Sequence, residues 1–318
     1  MKALYYNGEI AVIDTKKPVL IAGEAVIRVS MAGLCATDRE IFAGYMNFRG
    51  IPGHEFAGVV EECADGAWIG KRVTGEINAG CGDCDYCRRG LERHCPKRTT
   101  IGIAGRDGAF AEYLSLPVGN LVELPDCISD EEAVFIEPLA AVLEITEQIR
   151  IEPDWRILIV GDGKLAALTA MVLRLHGLDL TVSGIDEAKL DFFRGLGLET
   201  VTGVIPADSF DLVIEASGSP NGWESAVSSV KPRGTIVLKS TYHDKLDFNP
   251  APIVIKEITL IGSRCGRFKP AVRLIERGLV EVKPLISKVF SFEDIQEAIN
   301  YSRSSECLKV LIRFPAAD

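Results

Sequence analysis

Hydrophobic and polar positions change their period once along this chain, and the change divides it. From residue 1 to about 126, short apolar runs over 24–30, 56–61, 71–74, 108–116 and 121–124 are separated by Gly and Pro. That punctuation predicts short strands and a β-rich, partly open barrel. After Ser129 the spacing becomes helical. Ser129 followed three positions later by Glu132 is a capping-box pattern, and 133–149 continues with helical periodicity. An apolar strand over 157–160 then leads through a glycine turn into a long amphipathic helix that ends at Gly177. Strands over 179–183, 201–204, 211–216 and 234–238 follow, with helices over 186–196 and 222–230 between them. Alternation of this kind predicts a parallel sheet. Beyond Cys265, helices over 270–276 and 293–303 and segments over 285–290 and 308–314 are expected to return to the first domain, so that the chain crosses the domain boundary twice.

A chain of 318 residues exceeds what one core usually organises, and two domains are the prior. Composition is that of a globular protein, 47% hydrophobic and 25% charged, with no repeat or low-complexity tract. A net charge of -10 argues against nucleic acid or an anionic membrane as the main partner and favours small molecules. The first ten residues do not read as a signal peptide, and the most apolar stretches, 133–145 and 156–160, are interrupted by Glu137 and Glu144 or are too short to span a bilayer. The expectation is a cytoplasmic protein with no membrane association.

Reactive side chains concentrate in two places. Cys35, Thr37, Asp38, His54 and Glu55 lie within 21 positions. Thiol and imidazole are preferred zinc ligands, and a catalytic zinc takes three protein ligands plus an open position, so a third ligand has to come from this stretch or elsewhere. Cys81, Cys84, Cys87 and Cys95 have the spacing C-x2-C-x2-C-x7-C with glycines at 80, 82 and 90. Four of the nine cysteines within 15 residues of a chain without a visible secretion signal favour metal binding over disulfides. A closed set of four thiolates reads as a structural zinc that orders a loop, with an iron-sulfur cluster as the alternative. Cys63, Cys127, Cys265 and Cys307 have no partner at ligand spacing and read as core or surface thiols. His94 reads as exposed or beside the metal site, His176 as a favourable helix C-terminal residue and His243 as a residue that could line a cofactor cleft.

Gly161-Asp-Gly163-Lys164-Leu165-Ala166 follows an apolar strand and opens a helix, the context in which a G-x-G-x-x-A turn holds a dinucleotide pyrophosphate. The residue closing the next strand normally separates NAD from NADP, and here it is Gly184. Gly184 provides no carboxylate against a 2′-phosphate, and Ile185 provides no arginine for one. With Asp186 and Lys189 close by, both cofactors stay open.

Taken in this order, G-L-C-A-T-D at 33–38, G-H-E-F-A-G-V-V at 53–60, the four-cysteine lobe, G-A-F-A-E-Y at 108–113, E-P-L-A at 137–140 and the G-x-G-x-x-A turn resemble the zinc-dependent medium-chain dehydrogenase/reductase superfamily. This is the superfamily of alcohol, polyol, threonine and glucose dehydrogenases. The resemblance implies an α/β architecture, with a GroES-like β-rich catalytic domain over 1–135 carrying a structural-zinc lobe at 81–95, a doubly wound Rossmann domain over 136–265, and a return over 266–318. It implies that Cys35 and His54 bind catalytic zinc with Glu137 as third protein ligand, which would place the site at a seam between the domains. Glu55 becomes a neighbouring carboxylate or an exchanging ligand, Thr37 a proton relay and Asp38 the residue that orients the site around His54. Ala36 replaces a glycine common in the family, and the loop over 41–53 is short; both bear on substrate access.

The expected activity is hydride transfer between an alcohol and NAD or NADP, with two zinc ions per chain and a homodimer or homotetramer joined through the Rossmann sheet edge. A mixed sulfur, nitrogen and oxygen ligand set resembles polyol or sugar dehydrogenases more than the two-cysteine alcohol dehydrogenases. The rival reading is a zinc- and nucleotide-binding redox sensor or structural module without turnover, but it gives no reason for Cys35, Thr37, His54 and Glu137 all to be present. A zinc-dependent lyase or a dismutase with a permanently bound cofactor is a third reading.

Overall fold

The computed structural model describes residues 1–241 and 248–315. His243 lies outside the described residues. The chain forms two compact units, Met1–Glu137 with Phe268–Asp318, and Pro138–Arg267. Among the described residues no helix is long and apolar enough to cross a membrane.

The strand Glu24–Leu34 is the axis of the first unit. It pairs antiparallel with Glu55–Cys63, with Tyr113–Pro117 and with Lys309–Arg313 near the C-terminus. Arg72–Gly75 and Leu121–Glu123 extend the sheet on one side and Ile286–Ser291 on the other. Nearly every residue of Glu24–Leu34 is buried, which is why its sequence lacks the alternation of a half-exposed strand. Its register against Glu55–Cys63 shifts at Val26/Ile27 and again at Val29/Met31. Such bulges raise local twist and let a sheet curl toward a barrel. The pairing of Val310 with Leu34 brings the C-terminal strand beside the residue that precedes Cys35.

Two expectations shift in this unit. The strand anticipated over 108–116 begins only at Tyr113, because the N–H groups of Gly108, Ala109 and Phe110 bond Ile51, Gly53 and Pro52 at 2.7, 2.9 and 3.0 Å instead of joining a ladder. The helix anticipated over 133–149 is two helices, Asp130–Ala133 and Ile136–Gln148. The capping box at Ser129 and Glu132 is present. Pro138 has no N–H to return to the preceding turn, and its ring is tolerated only in the first turn of a helix, so a new helix starts at Ile136.

In the second unit six parallel strands, Glu199–Val201, Asp179–Ser183, Arg156–Val160, Phe210–Glu215, Val230–Leu238 and Thr259–Gly262, stand in that spatial order. This is the 3-2-1-4-5-6 arrangement of a doubly wound nucleotide fold, whose ligands bind beyond the carboxyl ends of strands 1 and 4. The helix after the first strand, Lys164–Leu173, is buried from Ala166 through Leu173 and so is not amphipathic as expected. Small side chains at Ala166, Ala167 and Ala170 let it pack closely on every side. It closes through a 3-10 turn, Arg174–His176, and a left-handed Gly177 with φ of 68°.

Candidate active site

Cys35, His54 and Glu55 bring one ligand atom each to within 4.8 Å of one another. Each is placed by a short piece of backbone. Cys35 is the N-cap of the helix Ala36–Phe42, and its N–H donates to Asp38 Oδ2 at 2.8 Å. The other oxygen of Asp38 faces His54 Nδ1 at 3.4 Å. One fully buried carboxylate therefore holds the backbone of Cys35 and faces the imidazole, and by standing beside Nδ1 it leaves Nε2 as the nitrogen available to a metal. Thr37 Oγ1 lies 3.9 Å from Cys35 Sγ. His54 and Glu55 stand where a loop turns into the strand Glu55–Cys63. Gly53 makes that turn at φ of +94°, where a Cβ would fall 2.7 Å from the Phe110 ring and 2.9 Å from its nitrogen.

Glu55 is fully buried and ion-paired with the equally buried Lys309 of the C-terminal strand. Lys309 also donates to Leu34 O at 3.0 Å and stands 5.9 Å from the centre of the Phe135 ring. A Cβ at Gly33 would meet the Val134 side chain and would lie 2.7 Å from both Glu55 Oε2 and Lys309 Cε, so this packing requires the glycine. Burial pushes the Lys309 ammonium down to about 8, with the negative charge of Cys35 and Asp38 acting the other way. For His54 burial acts to lower the imidazole, but the Asp38 carboxylate and Cys35 outweigh it and hold the group well above its ordinary value.

Glu137, the third ligand implied by the resemblance, is buried in the first turn of the helix Ile136–Gln148 and is not one of the converging trio. Glu55, which the resemblance makes a neighbouring carboxylate or an exchanging ligand, is. Lys309 was missed altogether. Its signal in the sequence is one cation opening the apolar run K-V-L-I, which by itself reads as a solvated strand end. The donor set fits zinc: a half-buried thiolate with a buried imidazole and a buried carboxylate, the imidazole with its Nδ1 already beside Asp38.

Cys81, Cys84, Cys87 and Cys95 likewise converge within 4.8 Å. The loop that carries them is closed where Asn78–Ala79 pairs with Thr99–Ile101. Gly82 and Gly90 adopt φ of +79° and +69°, and a Cβ at Gly80 would lie 2.8 Å from Cys87 Sγ. Cys95 Sγ accepts the N–H groups of Cys81 and Lys97 at 3.4 and 3.3 Å. Burial pushes the Cys95 thiol up, but those donors and the neighbouring thiols outweigh it and leave the group at about 7. Cys81 is pushed up to about 12, chiefly by the Asp83 carboxylate 2.6 Å away. His94 is exposed and not part of this set.

In the nucleotide turn, Gly161 has φ of +123° and a Cβ there would sit 2.8 Å from Ala216 O, because the chain leaving Phe210–Glu215 passes directly over it. Gly163 is the N-cap of Lys164–Leu173, and Leu165 O accepts the Thr169 hydroxyl at 2.7 Å. Gly184 follows the second strand. The Asp186 carboxylate accepts the N–H groups of Ala188 and Lys189 at 3.0 and 3.3 Å, so it caps the next helix, Glu187–Gly195. Glu215, fully buried at the end of the fourth strand, accepts the Ser217 N–H at 2.8 Å and its hydroxyl at 2.5 Å.

Comparison with known proteins adds to this geometry. Residues 21–126 match the alcohol dehydrogenase GroES-like domain, and residues 165–277 match the zinc-binding dehydrogenase domain. The chain is 26% identical to D-arabinitol dehydrogenase 1 of Uromyces fabae, with 98% of this chain and 97% of the relative covered. A structure described as a short chain alcohol dehydrogenase of Escherichia coli CFT073, complexed with NADH, superimposes with a TM-score of 0.90 at 25% identity over 99% of both chains. One described as a zinc-binding dehydrogenase of Sinorhizobium meliloti 1021, bound to NADP, does so with a TM-score of 0.87 at 28% identity over 98% of both. These matches support the dehydrogenase reading and give none to a module without turnover. With both halves of the fold and both cysteine-bearing sites accounted for, the chain belongs to the zinc-dependent medium-chain dehydrogenase/reductase superfamily.

Proposed function

We propose that this chain is a zinc-dependent dehydrogenase that interconverts a secondary alcohol of the polyol or sugar class and its carbonyl form, using NAD or NADP. The observation that carries the reading is the convergence of Cys35, His54 and Glu55 beside Thr37 and Asp38. The similarity to D-arabinitol dehydrogenase 1 supports the polyol class. When bound, zinc supplies Lewis acidity toward the substrate oxygen, and the nicotinamide supplies the hydride acceptor.

The residues of the chain do the rest. Cys35 and His54 hold the metal, and Asp38 keeps both in place. Thr37, two residues after Cys35 and with its hydroxyl 3.9 Å from the thiol, takes the proton that the substrate hydroxyl gives up and passes it toward solvent. Two carboxylates compete for the third ligand position: Glu55 stands in the converging trio, and Glu137 is the residue that the family pattern assigns. Glu55→Gln and Glu137→Gln separate them, because the true ligand alters the visible spectrum of the cobalt-substituted protein and the other does not. Gly161, Gly163, Lys164 and Leu165 receive the pyrophosphate, and Gly184, Asp186 and Lys189 border the ribose.

The four cysteines hold a second, structural zinc. Among the described residues the strand Thr259–Gly262 is one edge of its sheet, and Leu260, Val254 and Ile255 are exposed on and beside it, which supports a homodimer formed through that edge or a tetramer built from such dimers. Light scattering on the purified protein tests the assembly. A panel of polyols, secondary alcohols, aldoses and threonine, assayed with each cofactor and paired with a zinc count per chain, tests the activity. Turnover of none of them by protein carrying two zinc ions would overturn the reading.

A further inference from the structure

Dinucleotide folds usually tell NAD from NADP with an acidic side chain at the end of the second strand, which bonds the ribose hydroxyls and repels a 2′-phosphate. This chain has Gly184 there. The structure nevertheless places a carboxylate at that strand end, delivered from a different element. Asp162, the variable residue of the glycine turn, extends toward the loop after the second strand, where its Oδ2 accepts the N–H groups of Ile185 at 2.7 Å and Asp186 at 2.9 Å. A Cβ at Gly184 would lie 2.7 Å from both Cβ and Oδ2 of Asp162. The two positions are thus complementary, since a side chain at 184 would displace the carboxylate that now fills its place.

Three further features bear on selectivity. Backbone N–H groups in a loop before a helix are the usual means of holding a phosphate. Here the two that follow Gly184 are already taken by an anion. Oδ2 accepts both bonds, which leaves Oδ1, with its own lone pairs, for a ribose hydroxyl. Among the described residues that follow Gly184, the positive groups that could reverse this preference are few. No arginine occurs between residues 184 and 193. Arg194 is held by Glu187 and Asp191 at 2.7 Å each and by Thr200 at 2.9 Å. Lys189, half-buried in the helix that Asp186 caps, is a rival cation.

We propose that Asp162 stands in for the absent strand-end carboxylate and makes this chain select NAD over NADP. The inference rests on the reading that the glycine turn binds a dinucleotide. It assigns to a side chain of the turn a selection that the fold normally places 20 or so residues later.

Calorimetric titration of the full chain with ADP-ribose and with 2′-phospho-ADP-ribose tests this without turnover. The wild type is expected to bind ADP-ribose at least about tenfold more tightly. Asp162→Asn, nearly the same shape without the charge, should narrow the ratio to about threefold or less, mainly by improved binding of the phosphorylated probe. Gly184→Ala, which displaces Asp162 by contact, should shift the ratio the same way, and circular dichroism establishes that each variant is folded. A wild type that prefers the phosphorylated probe, as it would if Lys189 dominated, overturns the proposal even if neither variant folds. So does a ratio unchanged in folded Asp162→Asn. If the wild type binds neither probe, the dinucleotide reading itself fails and the proposal falls with it, an outcome distinct from binding with the wrong preference.

Discussion

The two places where, among the described residues, metal-ligand atoms converge within the same 4.8 Å are built in opposite ways. The four-cysteine lobe is local, with 15 residues, three glycines and a strand pair at its neck supplying everything it needs. The trio of Cys35, His54 and Glu55 is assembled from a helix start and a strand start. It is held from outside by Asp38 and by Lys309, which is more than 250 positions away in the chain. A closed site is held together by its own metal once four thiolates surround it. A site that must keep a position open for substrate cannot rely on the metal to fix its ligands, so the surrounding protein has to do so.

That contrast can be broken by experiment. Cys95→Ser should have the largest effect on structure. Zinc in a four-ligand site is worth on the order of 10 kcal/mol to the segment that it folds. The variant should therefore lose the lobe metal, and proteases should cut between residues 81 and 95. Retention of both metals and full protease resistance would show that the lobe does not depend on its ion. His54→Ala should do the reverse, cutting turnover by about a thousandfold while the lobe metal stays and the melting temperature changes little. A comparable melting loss in both variants would erase the distinction between the sites.

Lys309→Met sharpens the comparison by removing the outside support. It leaves the Glu55 carboxylate buried without its cation, which costs about 3 to 5 kcal/mol. The double variant Lys309→Met/Glu55→Gln should recover much of that loss in denaturant titration, and a double variant that is no better than the single would show that Lys309 acts by packing alone.

The smallest effect is a control in the same sheet, away from either cluster. Burial acts to raise the Glu24 carboxyl, but Arg106 at 2.8 Å and the Ser115 hydroxyl outweigh it and hold the group below its usual 4.5. Its stabilisation is therefore complete above pH 4.5 and lost as pH falls through the lower folded value. Glu24→Gln should cost about 1 kcal/mol at neutral pH, and the difference from wild type should vanish in acid. A difference that persists unchanged in acid would rule out the carboxylate as its cause.

Much of this architecture was legible in the chain, for reasons that can be located. The parallel sheet follows from strands such as 157–160 alternating with helices, and the lobe from cysteine spacing. Other expectations failed where tertiary contacts overrode local pattern. The helix across Val134 and Phe135 breaks because Pro138 needs a first turn, and the strand before Tyr113 dissolves because Gly108 to Phe110 bond the loop at Ile51 to Gly53. Lys309 was illegible because a lysine at the end of a strand is ordinarily solvated; only the pairing of Val310 with Leu34 carries it inward to Glu55.

By itself the sequence carried the family, and it pointed to a two-domain plan, a four-cysteine set and the candidates Cys35 and His54. The cysteine set depends on residues close together in the chain, where spacing fixes distance, and the rest on short motifs whose wording carries the resemblance. Tertiary structure alone decided that Glu55 joins the trio, that Lys309 holds it, and that Asp162 fills the place Gly184 leaves empty. Those are relations between separate elements of the fold, brought together by strand register and by which side chain reaches a space that another has vacated.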